Sequence, residues 1–152
     1  MKTQDIIKTA KPKMKSMLKS VYENNKEEKG ISRILEAMKV VDRKLFVKAE
    51  NPYVDTPLLI GHGQTISQPT TVARMLCLLD LKSKMKVLEV GSGSGWNASL
   101  MAYLVRPGKV VSIERIKELS ELASNNTNIL KSEIRQNPVS YTHLTLPTIY
   151  SV

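Results

Sequence analysis

The run from Met85 to Asn97, M-K-V-L-E-V-G-S-G-S-G-W-N, constrains this chain more than any other stretch. Val87, Leu88 and Val90 are strand formers, Glu89 interrupts them, and the run breaks into glycine at alternate positions, Gly91, Gly93 and Gly95. Beyond Asn97, Leu100, Met101, Leu104 and Val105 share one helical face. The order is strand, tight turn, helix. Three missing Cβ atoms let backbone approach a ligand closely, and a helix start turns N–H groups toward it. A nucleoside-type cofactor site is the first expectation.

The pattern then repeats. Arg106-Pro107-Gly108 closes the helix, Lys109 to Ile113 reads as a second strand ending in Glu114, and Ile116, Leu119, Leu122 and Ala123 resume helical spacing. Strand, helix, strand, helix implies an α/β fold with a parallel sheet and a right-handed crossover. Glu114 follows Gly95 by 19 positions, at a strand tip where an acid accepts hydrogen bonds from ribose hydroxyls. A dinucleotide site requires a small residue five positions after the first glycine, and Trp96 stands there. A phosphate loop requires a lysine between Ser92 and Asn97, and there is none.

Upstream, Met14, Met17, Leu18, Val21 and Tyr22 form an amphipathic helical stripe with Pro12 near its start. Ser32 is expected to cap a second helix carrying Ile34, Leu35, Met38, Val41 and Leu45 and running toward Phe46 and Val47. Pro52 and Pro57 impose a surface loop, Leu58 to Ile60 reads as a short strand, and the polar G-H-G-Q-T-I-S-Q-P follows. Pro69 opens a helix striped by Val72, Met75, Leu76 and Leu79. Ser67 thus lies at a helix entrance. It can cap that helix, as Gln68 can, or hold a carboxylate beside unpaired N–H groups at the positive end of the helix dipole.

The 152 residues make one ordinary domain, enough to bury about two-thirds of the unfolded surface. No apolar run reaches the roughly 20 residues that cross a bilayer, and the N-terminus lacks a signal-peptide core, so a cytoplasmic protein without membrane contact is expected. Cys77 is the single cysteine, which excludes a disulfide framework and suits a small buried hydrophobe. His62 and His143 stand far apart with nothing marking them as ligands, so no metal is expected. The net charge of +9 is concentrated in residues 1 to 50, where 13 lysines and arginines face 7 acids. Five lysines and no acid fall between Lys8 and Lys19. A solvated lysine face is the reading we favour over a nucleic-acid surface, because aromatic residues and arginines are nearly absent there.

The residues left standing, acidic-x-Gly-x-Gly-x-Gly from Glu89 through Gly95 with an acid at the next strand tip, resemble the motif of class I S-adenosylmethionine-dependent methyltransferases. Asp42 to Val47, Asn51 to Pro57 and Gly61 to Pro69 look like the N-terminal half of protein-L-isoaspartate O-methyltransferase, in the right order and spacing over roughly residues 14 to 134. In that family the T-I-S-Q-P segment, here Thr65 to Pro69, is a hallmark. The resemblance implies the N-terminal part of a Rossmann-like doubly wound parallel sheet preceded by helices. It also implies methyl transfer from S-adenosylmethionine to the α-carboxylate of L-isoaspartyl residues in damaged proteins, a repair reaction. By the same resemblance Ser67 belongs to the active site and orients that carboxylate, with Gln64 and Thr65 shaping the same wall and counting among the cofactor-binding residues. Glu89, Gly91, Ser92, Gly93 and Gly95 would cradle the methionine moiety and Glu114 would hold the ribose.

Three regions are expected: residues 1–56, helical with a loop; residues 57–136, a partial cofactor-binding domain; and residues 137–152, a tail foreign to the rest. That tail has no charged residue in a chain that is 24% charged, is split by Pro138 and Pro147, and resembles translated sequencing adapter. The later strands of the family, with their Gly-Asp-Gly-type segment, are not found. From Lys131 only 21 residues remain, fewer than one βαβ unit of about 30. Two parallel strands with an open edge and an uncovered face are therefore expected, and with them a fragment of little or no activity. The alternatives are a class I methyltransferase with another substrate, or a basic nucleic-acid-binding fragment without catalysis.

Overall fold

The structure is a computed structural model that describes residues 2–136 and 147–152. The chain divides into two compact units, Met1–Leu81 and Lys82–Val152.

In the first unit, α1 (Thr3–Lys8), α2 (Pro12–Asn25) and α3 (Ile31–Val40) precede a single 3-10 turn, Arg43–Leu45. The hairpin β1 (Leu58–Gly61) and β2 (Gln64–Ile66) follows, and then α4 (Pro69–Leu79). Pro12 and Pro69 open α2 and α4, where a missing N–H costs nothing. The core is the expected one: Met14, Met17, Leu18 and Val21 of α2 meet Ile34, Leu35 and Met38 of α3 and Val72 and Leu76 of α4. Three local expectations change. Gly30, in a left-handed conformation, starts α3, while the Ser32 hydroxyl lies 2.6 Å from that of Thr3, linking α3 to the unforeseen α1. The helix also ends at Val40 instead of running to Phe46. Met75 and Leu79, assigned to the buried stripe of α4, are exposed, and Cys77 is only half-buried.

In the second unit β3 (Lys86–Val90) leads through the glycine turn into α5 (Trp96–Val105). Then come β4 (Lys109–Glu114), α6 (Lys117–Gln136) and a short β5 (Thr148–Ser151). β3 and β4 pair in parallel, Lys86 opposite Lys109 through Val90 opposite Ile113, and β5 pairs in parallel with the other side of β4. The sheet order is β3-β4-β5. A third strand, from the far end of the tail, thus joins the two that were expected; the reading of residues 137–146 lies outside the described residues. Register puts Val87, Glu89, Val110, Ser112 and Glu114 on one face, against which α5 and α6 pack. Leu88 and Val90, 65% and 78% exposed, share the other face, and among the described residues that face carries no helix and β3 pairs with β4 alone. Among the described residues, the open edge and uncovered apolar face inferred from the sequence are present.

Candidate functional site

Two sets of residues are candidates to carry chemistry, one in each unit. In the second unit the turn after β3 is anchored at both ends. Gly91 N–H donates to the Ile113 carbonyl at 2.8 Å and Gly95 N–H donates to the Ser92 carbonyl at 2.8 Å. All three glycines are left-handed, with φ of +89° at Gly91, +52° at Gly93 and +88° at Gly95, a region that costs other residues about 1–2 kcal/mol. Their surroundings differ. A Cβ at Gly91 would meet nothing within 4 Å, whereas one at Gly95 would lie 3.1 Å from the Ala123 Cβ of α6. The glycine at position 91 borders open space; the one at 95 admits a helix.

Glu114 reaches back from the tip of β4 to this turn. One carboxylate oxygen accepts the Gly93 N–H at 2.9 Å and the other accepts the Ile116 N–H at 3.0 Å. The sequence separates these residues by about twenty positions, and the parallel register brings them together. Each oxygen keeps a second lone pair, so the carboxylate can hold its own backbone and still accept a ligand hydroxyl.

Glu89 is buried one step earlier. It accepts from Asn97 Nδ2 at 2.8 Å and from the Ser112 hydroxyl, its register partner on β4. Burial raises its carboxyl above the ordinary carboxylate range, hydrogen bonds from Ser112 and Asn97 oppose that rise, and the nearby charge of Glu114 adds to it. Ser112 and Asn97 were not singled out by sequence reasoning. The available signal was the polar Ser112 between Val111 and Ile113, placed by register on the covered face. Two buried polar atoms here, Ser92 Oγ and Asn97 Oδ1, find no hydrogen-bond partner among the described residues. Such atoms are costly unless a ligand or water satisfies them. Together with the space at Gly91 they fit a polar cofactor of amino-acid and ribose character.

In the first unit Gln64, Thr65 and Ser67 are exposed and Ile66 between them is buried. The hairpin turn Gly61-His62-Gly63 is left-handed throughout, which the G-H-G pattern permits. Among the described residues no group of three His, Cys, Asp or Glu could hold a metal.

The start of α4 is organised differently from the capping read in the sequence. Neither Ser67 nor Gln68 caps it through its side chain. Asp55, from the proline loop, accepts the Thr70 N–H at 2.9 Å, the Thr70 hydroxyl, and the Ser20 hydroxyl at 2.6 Å. That helix amide is therefore already matched by a carboxylate. Burial pushes the Asp55 carboxyl up, but the bonds from Ser20 and Thr70 and the charge of Arg43 outweigh it and hold it below its ordinary value. Arg43, 0% exposed, donates to the carbonyls of Pro52, Val54, Thr56 and Ser67 at 2.6, 3.1, 3.0 and 3.3 Å. Burial lowers its pKa to about 10, with Asp55 pulling it back up, so it stays protonated at neutral pH.

Comparison with known proteins gives the family. Residues 15–143 match the family Protein-L-isoaspartate(D-aspartate) O-methyltransferase (PCMT). The protein-L-isoaspartate O-methyltransferase of Methanothrix thermoacetophila is 57% identical over 98 residues, covering 62% of this chain and 47% of that one. The protein of the same name from Aeropyrum pernix is 55% identical over 98 residues, covering 62% of this chain and 38% of that one. A Plasmodium falciparum crystal structure assigned to this activity, in complex with S-adenosyl-L-homocysteine, superposes with a TM-score of 0.65 at 32% identity. It covers 87% of this chain and 61% of that one. The chain belongs to the protein-L-isoaspartate O-methyltransferase family, and it spans less than half the length of these two curated relatives.

Proposed function

We propose that the enzyme to which this chain contributes transfers a methyl group from S-adenosylmethionine to the α-carboxylate of L-isoaspartyl residues in damaged proteins, in the cytoplasm. The observation that carries the reading is the turn at Gly91 to Gly95. It joins open space at Gly91, two unsatisfied polar atoms and the Glu114 carboxylate in one unit of a chain that belongs to this family.

The residues present fit the cofactor. Ser92, Gly93 and Asn97 would hold its amino-acid end, with Gly91 giving the backbone close approach, and Glu114 would accept from its ribose. Glu89, held by Ser112 and Asn97, would fix the turn rather than touch the ligand. Gly95 serves the same turn by letting α6 approach. When bound, S-adenosylmethionine supplies a methyl carbon on a positively charged sulfur, which leaves as the neutral thioether with the electron pair of the broken C–S bond.

The acceptor is already an anion, so no strong general base is required, and the protein's task is positioning and removal of water. Ser67, exposed at the end of the hairpin, would donate its hydroxyl to the substrate carboxylate and orient it. Gln64 and Thr65 would form the adjoining wall.

The test continues this chain with the second half of the Methanothrix thermoacetophila relative and compares methyl transfer to isoaspartyl and aspartyl versions of one peptide. Methylation of the isoaspartyl version alone is expected. Ser67→Ala should lower that rate about 10- to 100-fold, the worth of one hydrogen bond to a charged group. Equal methylation of both peptides would sink the reading in favour of a methyltransferase with another substrate.

A further inference from the structure

We propose that Arg43 is a positioning residue for Ser67, a clasp that holds the serine loop to the proline loop through backbone carbonyls; the inference rests on the reading of Ser67 given above. Arg43 Nη1 donates to Pro52 and Val54 and Nη2 to Thr56 and Ser67. One planar group thus binds three alternate carbonyls of the 52–56 loop and the carbonyl of the proposed active-site serine. A side chain that is 0% exposed cannot meet a peptide substrate, so its influence on a reaction has to pass through what it holds.

The geometry demands a guanidinium. Four acceptors arranged along two edges match its fixed fork of donors, while a lysine ammonium presents three donors from one point. The same loops are sewn together a second time. Gln68 Nε2 donates to the Asp55 carbonyl at 3.0 Å, and the Asp55 side chain takes Thr70 at the start of α4. Asp55 also supplies the negative charge that keeps a buried cation tolerable. The loop is therefore fixed through the Ser67 carbonyl and the Gln68 side chain, while Ser67 as a residue stays exposed. Arg43 lies 24 positions before Ser67, in the 3-10 turn Arg43–Leu45, whose start Asp42 caps by accepting the Lys44 N–H at 3.1 Å.

The experiment uses the 152-residue chain. Hydrogen exchange is followed by mass spectrometry in the wild type, in Arg43→Lys, and in Leu35→Ala, a core truncation that leaves the fork untouched. In parallel, an isoaspartyl peptide is titrated into each. Arg43→Lys should speed exchange across residues 52–69 by about ten-fold or more while α2 and α3 keep wild-type protection, and should weaken the peptide by a similar factor. Leu35→Ala should speed exchange through the whole unit.

Unchanged exchange at 52–69 in Arg43→Lys, or faster exchange spread evenly as in Leu35→Ala, overturns the proposal. If Arg43→Lys does not fold, the wild type decides by NMR. Hydrogen-bond couplings from the Arg43 Nη atoms to the carbonyl carbons of Thr56 and Ser67 support the clasp, and a freely rotating guanidinium overturns it. A wild-type chain that binds isoaspartyl and aspartyl peptides equally refutes the assignment of Ser67, while the exchange data still judge the clasp.

Discussion

Replacing Gly91 and Gly95 separately by alanine divides the glycine turn into its two tasks. Both positions have nearly the same left-handed φ, +89° and +88°, so both variants carry a conformational cost of about 1–2 kcal/mol. Only Gly95 has a neighbour in the way, with the Ala123 Cβ at 3.1 Å and the Ala123 Cα and carbonyl oxygen at 3.2 Å from the added methyl. Forcing α6 outward adds about 1–2 kcal/mol, within the usual range for an overpacked contact. Gly91→Ala should therefore lose about 1–2 kcal/mol and Gly95→Ala about 2–4 kcal/mol. Trp96 is the only tryptophan, is 1% exposed and adjoins the turn, so its emission reports urea unfolding of this unit. Ala123→Gly costs about 1 kcal/mol by itself in a helix, but combined with Gly95→Ala it removes the obstructing methyl. The double-mutant cycle should show a favourable coupling of about 1 kcal/mol. Equal losses for the two alanine variants, or a coupling near zero, would refute the argument that Gly95 exists to admit α6.

The buried Glu89 and the partly buried Asp55 give predictions of opposite sign. Glu89 is raised by burial in the fold, so its contribution to stability is present below the ordinary value of 4.5 and is lost as pH rises through the folded value. Glu89→Gln keeps the shape and removes the charge; its stability relative to wild type should climb across that window and then level, as urea midpoints from about pH 4 to about pH 8 would show. Asp55 is held below 3.8, so its contribution is present above that value and fades as pH falls through the folded one. Asp55→Asn should cost about 1 kcal/mol or more at neutral pH through the weakened cap on α4, and the difference should shrink in acid.

The parts of the fold governed by local pattern were legible in the sequence. Alternating glycines after Val90, the proline starts at Pro12 and Pro69, and the apolar spacings of α2, α5 and α6 located those elements closely, because each depends on neighbouring residues. What depended on distant partners was not legible. Ser32 has the chemistry of a helix cap, yet its hydroxyl is used by Thr3. The start of α4 is satisfied by Asp55, 15 positions away, instead of by the adjacent Ser67 or Gln68. Met75 and Leu79 fit the period of α4 and are exposed all the same. Arg43 stood in the sequence as one member of the Asp42 to Val47 segment and of the basic count, and only the folded loop shows it to be a buried hub. Spacing singled out Glu89, the glycines and Glu114 as candidates, whereas the bond from Ser112 to Glu89 required the register of β3 against β4, and that from Asn97 required the turn that brings α5 back to Glu89. Residues 147–152, read as part of a foreign tail, supply a parallel strand beside β4.

In the function proposed above, this turn and Glu114 form part of an S-adenosylmethionine site and not a dinucleotide site. Saturation-transfer NMR on the 152-residue chain, with S-adenosylhomocysteine and NAD in separate samples, tests it most directly, since the method detects weak binding. Saturation of the ribose and amino-acid protons of S-adenosylhomocysteine, reduced in Glu114→Gln, is expected, with none for NAD. Equal saturation of both ligands, or none for S-adenosylhomocysteine, would contradict it.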